Sequence, residues 1–128
     1  MKILVADDDP ICRKIVARRL RAFDDFEVAE AADGIEALTM LKHNHFDGMV
    51  VDWQMPGHSG LEIVREIRKA GINMPLLMVT GESEKERVVE AIQAGVTDYL
   101  IKPFDGQSLE AKLQKFVAWF QPAAVADA

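Results

Sequence analysis

Cysteine and long apolar runs are scarce in this sequence of 128 residues. The one cysteine, Cys12, cannot form a disulfide within the chain, which fits a reducing compartment. No apolar run approaches the roughly 20 residues that a membrane-spanning helix needs. Three acids interrupt the start of the chain where a signal peptide would need an apolar core. We therefore expect a cytoplasmic protein that does not bind a membrane.

Basic residues are also fewer than acidic residues. The chain has 15 Lys and Arg against 21 Asp and Glu, a formal net charge of −6. This balance disfavours contact with phosphate backbones, so we expect no direct binding of nucleic acid. The length suits one hydrophobic core. We assign residues 1–121 to a single domain and residues 122–128 to a short flexible tail or the start of a linker.

Short apolar runs alternate with longer amphipathic stretches along the chain. The runs predict five buried strands, at Lys2–Ala6, Phe26–Ala31, Gly48–Asp52, Leu76–Thr80 and Thr97–Ile101. The stretches between and after them have helical spacing and predict five helices. Caps are expected at Asp9, Asp33 and Ser59, before the first three helices. Strands that alternate with helices indicate an α/β fold, with a parallel sheet covered on both faces.

Apolar spacing also predicts which side of the first two helices faces the sheet. The expected inner stripe of the first helix is Ile11, Ile15, Val16, Leu20 and Phe23. The expected inner stripe of the second helix is Ile35, Ala37, Leu38 and Leu41.

Acids and one lysine stand at the ends of three predicted strands. Asp7, Asp8 and Asp9 follow the first strand, Asp52 ends the third, and Lys102 follows the fifth. The carboxyl ends of parallel strands meet at one edge of a sheet, where ligands bind in open α/β folds. Carboxylates that crowd together repel one another unless a cation offsets their charge. Such an oxygen-rich cluster suits Mg²⁺.

Four strings in chain order resemble the response-regulator receiver family, which includes single-domain chemotaxis regulators. The strings are Val5–Pro10, Asp52–Gly60, Val79–Glu82 and Lys102–Phe104. Each lies at a predicted strand end, and the resemblance extends from about Lys2 to Phe120. It implies a flavodoxin-like, doubly wound sheet with strand order 2-1-3-4-5.

The resemblance also implies a role for each residue of the cluster. Asp52 would be the nucleophile that takes a phosphoryl group from a phosphohistidine donor. Asp7, Asp8 and Asp52 would hold Mg²⁺, or alternatively Mn²⁺, together with the backbone carbonyl of Gln54. Lys102 would donate a charged hydrogen bond to the phosphoryl group.

Further implied roles concern signalling. Thr80 would bond the phosphoryl group, and Tyr99 would turn inward after it, so that the two act as a switch. Gln54 and Glu82 would influence how fast the phosphoryl group is lost. The donor would be a sensor histidine kinase or a phosphotransfer protein. A downstream protein or effector domain would bind the face made by the fourth helix, fifth strand and fifth helix. The protein would catalyse only its own phosphorylation and dephosphorylation, and is not expected to be an enzyme.

Two other functions stay open. The Asp-x-Asp spacing of Asp7 and Asp9 resembles the start of haloacid-dehalogenase-type phosphatases, which would make the protein a true phosphohydrolase. Ile11 fits that pattern only loosely, and the chain is short for a substrate-covering cap. The second alternative is a degenerate receiver that only mediates protein contacts, which the full set of acids, threonine and lysine disfavours.

Overall fold

A computed structural model of the protein describes residues 1–23 and 25–120 and contains a five-stranded parallel sheet. The strands are β1 (Lys2–Ala6), β2 (Glu27–Ala31), β3 (Gly48–Val51), β4 (Leu76–Thr80) and β5 (Asp98–Ile101). Their order in the sheet is β2-β1-β3-β4-β5, which confirms the expected doubly wound fold. The predicted tail, residues 122–128, lies outside the described residues, so the domain boundary stays a prediction.

Five helices connect and follow the strands. They are α1 (Pro10–Arg21), α2 (Gly34–His43), α3 (Gly60–Lys69), α4 (Lys85–Ala94) and α5 (Gly106–Ala118). The side chains of Asp9, Asp33 and Ser59 each accept a backbone N–H in the first turn of the helix that they precede, as predicted. Asp105 caps α5 in the same way. These caps satisfy N–H groups that would otherwise lack a partner at the helix start.

The helices cover both faces of the sheet. Helices α1 and α5 pack on one face, and α2, α3 and α4 pack on the other. Because both faces are covered, every residue of β3 and β4 is buried. Within the described residues, no helix is long and apolar enough to cross a membrane.

The inner faces of α1 and α2 differ from the expected stripes. The buried residues of α1 are Cys12, Val16, Ala17 and Leu20. Ile11 and Ile15 are 72% and 43% exposed, so their predicted place in the core was wrong. Ile35 of α2 is likewise 61% exposed, whereas Ala37 is buried. These isoleucines are turned towards solvent, and Cys12 and Ala17 lie on the inner face of α1 beside Val16 and Leu20.

Candidate functional site

A cleft lies at the carboxyl edge of the sheet. Asp7 and Asp8 follow β1, Asp52 follows β3, Thr80 ends β4, and Lys102 follows β5. The cleft has a volume of about 390 Å³ and is lined by Asp8, Asp52, Gln54, Thr80, Gly81 and Glu82. The structure therefore brings together at one edge side chains that are far apart in the sequence.

Three carboxylates form the centre of this site. One oxygen from each of Asp7, Asp8 and Asp52 lies within 4.8 Å of the others. Asp7 and Asp52 are only 4% and 6% exposed, whereas Asp8 is exposed to solvent. A set of oxygen donors that is open to water on one side fits Mg²⁺, which usually keeps several waters and takes few protein ligands.

Lys102 bridges two of the carboxylates. Its Nζ lies 2.9 Å from Oδ2 of Asp7 and 2.9 Å from Oδ2 of Asp52. Burial alone would lower the pKa of Lys102, but its hydrogen bonds to Asp52 and Asp7 outweigh burial and raise the pKa. The ammonium therefore stays charged at neutral pH and offsets part of the negative charge of the cluster. The Lys102–Pro103 peptide bond is cis.

Asp7 and Asp9 have separate structural roles despite their proximity. Burial raises the pKa of Asp7, and the charge of Asp52 acts in the same direction. The backbone N–H of Asp9 donates to Oδ1 of Asp7 over 2.9 Å and, with Lys102, partly offsets that rise. The carboxylate of Asp9 itself accepts the N–H of Ile11 and caps α1.

A hydrogen bond that the sequence does not predict joins two loops at the cleft. The side-chain amide of Gln54, after β3, donates to the carboxylate of Glu82, after β4. The backbone carbonyl of Glu82 accepts the hydroxyl of Tyr99 over 2.6 Å. The backbone N–H of Glu82 donates to the hydroxyl oxygen of Thr80 over 3.4 Å. Glu82 is thus the point where the residues expected to act in hydrolysis and switching meet.

The environment of Tyr99, the only tyrosine of the chain, gives a direct test of this arrangement. Burial raises the pKa of Tyr99 to about 12, and the carboxylates of Glu82 and Asp52 add to the effect. We expect the phenolate absorbance of the folded protein to appear near pH 12, and that of the unfolded protein near the ordinary value of 10.0. Because the folded pKa is the higher one, the stability contribution is complete below pH 10.0 and is lost as the pH rises towards 12.

A spectrophotometric titration measures this pKa, with circular dichroism at each pH to report the fold. Tyr99→Phe serves as the blank for the phenolate signal. A midpoint near pH 10.0 in protein that still has native circular dichroism would contradict the buried, hydrogen-bonded hydroxyl.

Two further side chains next to the site follow from the structure alone. The guanidinium of Arg87 in α4 lies over the buried ring of Trp53, 5.6 Å from its centroid. Arg13 in α1 donates from Nη1 to the backbone carbonyl of Asp7 over 2.9 Å, and from Nε to Glu30 over 3.2 Å. The sequence signal for Arg13 is its position in the first turn of the helix that follows the acids.

Comparisons with known proteins point to one family. Residues 3–114 match the family described as the response regulator receiver domain. The chain is 43% identical over 117 residues to the chemotaxis protein CheY of Pseudomonas aeruginosa, covering 90% of this chain and 94% of that protein. It is 44% identical over 117 residues to CheY-3 of Vibrio cholerae, covering 90% of each. The receiver domain of the Francisella response regulator 1452 matches with a TM-score of 0.84 and 29% identity, covering 95% of this chain and 98% of that one.

Proposed function

Because this chain belongs to the response regulator receiver domain family and is similar to single-domain chemotaxis regulators, we propose that it is a phosphorylation-dependent signalling switch. A carboxylate oxygen of Asp52 attacks the phosphorus atom of a phosphohistidine donor. An O–P bond forms on Asp52 as the N–P bond of the donor breaks, and the imidazole leaves. A sensor histidine kinase or a phosphotransfer protein supplies the donor, and the protein turns over no external metabolite.

The placement of Asp52 carries this proposal. Its carboxylate lines the open cleft at the end of β3, with the ammonium of Lys102 2.9 Å away. The ammonium is placed to stabilise the negative charge of an incoming phosphoryl group. Thr80 and Gly81 line the same cleft, so a phosphoryl group on Asp52 has both a hydroxyl partner and space on that side.

The acidic cluster supports a requirement for a divalent cation. Asp7, Asp8 and Asp52 supply the oxygen donors that Mg²⁺ prefers, and Mn²⁺ is an alternative. When bound, the cation supplies the positive charge that allows a carboxylate to take up a phosphoryl group. We assign Asp8 to direct ligation, Asp7 to contact mainly through water, and the backbone carbonyl of Gln54 to a further ligand position.

Thr80 and Tyr99 are the residues through which phosphorylation would change the shape of the protein. Thr80 is the last residue of β4, and its side chain is buried. Its backbone carbonyl accepts the N–H of Lys102 over 2.8 Å. A bond from the Thr80 hydroxyl to a phosphoryl oxygen would draw the loop that carries Glu82 towards Asp52. Because Tyr99 donates to the carbonyl of Glu82, movement of that loop would also move the tyrosine.

The surface made by α4, β5 and α5 is the proposed binding site for a downstream protein or effector domain. Val89 and Ile92 of α4 and Ile101 of β5 are exposed apolar side chains on these elements. Tyr99 lies in β5, so its movement would change the shape of this surface. Exposed apolar side chains that form a contiguous patch are typical of protein contact sites.

Gln54 and Glu82 are proposed to tune the lifetime of the phosphorylated state. Both residues line the cleft, and their mutual hydrogen bond connects its two loops. Water that hydrolyses the acyl phosphate must reach Asp52 through this cleft. Side chains at these two positions therefore influence dephosphorylation, which the protein carries out on itself.

We expect Mg²⁺ to change the fluorescence of Trp53, which follows Asp52 and shares a surface hollow with Asp8. Replacing the exposed Trp119 by Phe leaves Trp53 as the only indole in the chain. In that background, Asp8→Asn should raise the Kd for Mg²⁺ at least about tenfold, because it removes a charged ligand. Glu62→Gln, at an exposed position of α3, changes the net charge equally and is the control. Equal affinity in both variants would contradict the role assigned to Asp8.

A further inference from the structure

Arg13 connects β2 to the loop that carries the acids. Its Nε donates to the carboxylate of Glu30 in β2 over 3.2 Å, and its Nη1 donates to the carbonyl of Asp7 over 2.9 Å. The side chain is only 14% exposed. A planar guanidinium that is bonded through two of its nitrogens is fixed in orientation as well as in position.

Glu30 holds this arginine in place. Its carboxylate also lies 3.1 Å from Lys14 Nζ and 3.2 Å from Arg21 Nη2. Burial opposes ionisation, but the surrounding cations outweigh it and lower the pKa of Glu30. The strand supports the loop through its backbone too, because the N–H of Asp7 donates to the carbonyl of Ala31 over 3.1 Å. Strand β2 therefore holds both the N–H and, through Arg13, the carbonyl of Asp7.

The carbonyl that Arg13 holds belongs to the peptide group between Asp7 and Asp8. A peptide group is planar and rigid, so a donor that fixes this oxygen also fixes the nitrogen and Cα of Asp8. The side chain of Asp8 is exposed to solvent. The position of the Asp8 carboxylate is consequently set by the backbone at Asp8, and packing against the core contributes little to it.

We propose that Arg13, held by Glu30, is a positioning residue that fixes the placement of Asp8 relative to Asp7 and thereby sets the affinity of the site for Mg²⁺. The inference rests on the metal site of the proposed function and extends it to α1 and β2. Arg13 acts through the backbone, as outer residues around metal ligands commonly do. Its loss should therefore weaken metal binding without removing a ligand.

The chain offers a matched control, because Arg21 also binds Glu30 but donates its other hydrogen bond to the carbonyl of Val28. Mg²⁺ titrations would follow Trp53 fluorescence in a Trp119→Phe background. We expect Arg13→Met to raise the Kd for Mg²⁺ about tenfold, and Arg21→Met to change it less than about twofold. The direction is informative, since loss of a nearby cation would by itself strengthen the binding of Mg²⁺.

Arg13→Lys provides a second variant, which keeps the positive charge but lacks the guanidinium that donates to Glu30 and to the carbonyl of Asp7 at once. We expect it too to bind Mg²⁺ more weakly than the wild type, with melting curves recorded without Mg²⁺ to report the fold. Wild-type affinity in folded Arg13 variants, or an equal loss in Arg21→Met, would overturn the inference and leave the metal site intact. A wild-type protein that binds no Mg²⁺ would overturn both the inference about Arg13 and the metal site of the proposed function.

Discussion

Replacement of Gly60 by alanine is expected to lower the free energy of unfolding by about 3 kcal/mol, the upper end of the typical cost of overpacking. An alanine Cβ at this position would lie 1.9 Å from the backbone carbonyl oxygen of Asp52. The obstructing atom belongs to the backbone, so no side-chain rotation relieves the clash, and α3 must move away from the end of β3. That movement would also stretch the 2.6 Å hydrogen bond from the N–H of Gly60 to the carbonyl of Trp53.

The sign of the change in unfolding free energy distinguishes a steric clash with the Asp52 carbonyl from the effect of helix propensity. Gly60 is the first residue of α3, and propensity alone would make the alanine variant more stable, by up to about 1 kcal/mol. Gly81→Ala is the control, because its Cβ would meet no heavy atom within 4 Å among residues 1–23 and 25–120, apart from Gly81 itself and its two chain neighbours. We expect Gly81→Ala to remain within about 0.5 kcal/mol of the wild type. Denaturant unfolding of the three proteins measures both effects, and a stabilised Gly60→Ala would refute the account of how α3 is placed.

Lys102→Met is expected to lower the free energy of unfolding by roughly 3 kcal/mol at neutral pH. The substitution leaves Asp7 and Asp52 buried without the ammonium that now contacts both. This loss of stability is at the low end of the range for broken buried ion pairs, because the lysine side chain is 20% exposed. The deficit should shrink as the pH falls through the raised pKa of Asp7, since protonation of that carboxyl removes its repulsion from Asp52.

Added Mg²⁺ should restore much of the stability of Lys102→Met, because a cation at the cluster replaces the missing positive charge. Lys112→Met is the matched control: Lys112 Nζ lies 2.7 Å from Asp98, but both side chains are about a third exposed. Its loss should cost less than about 1 kcal/mol and should not respond to Mg²⁺. Equal stability losses in the two variants, or no rescue by Mg²⁺, would contradict the role given to Lys102 in neutralising the cluster.

Much of the fold follows from local patterns in the sequence. The strands are short apolar runs, and Asp9, Asp33 and Ser59 stand directly before helices, where their oxygens accept free N–H groups. The stripes of α1 and α2 were predicted less well. Hydrophobicity alone selects isoleucine as a core residue, but the orientation of α1 on the sheet, which the local pattern does not specify, buries Cys12 and Ala17 and leaves Ile11 and Ile15 exposed.

The convergence of the acids and the lysine was predictable for a topological reason. Residues that follow parallel strands lie at one edge of the sheet, whatever their separation in the sequence. The contacts inside the site were not predictable in this way. The bond between Gln54 and Glu82 joins two loops, and the bonds of Arg13 depend on how α1 is oriented on β2. Such contacts are set by tertiary packing, which the local pattern does not encode.

Phosphorylation of Asp52 is the central claim, and intact mass after incubation with acetyl phosphate and Mg²⁺ tests it most directly. An oxygen of Asp52 would displace acetate from phosphorus, so the wild type should gain the mass of one phosphoryl group and lose it again by hydrolysis. Asp52→Asn should gain none under the same conditions. Absence of an adduct on folded wild-type protein, or an equal adduct on Asp52→Asn, would contradict the assignment of Asp52 as the phosphoryl acceptor.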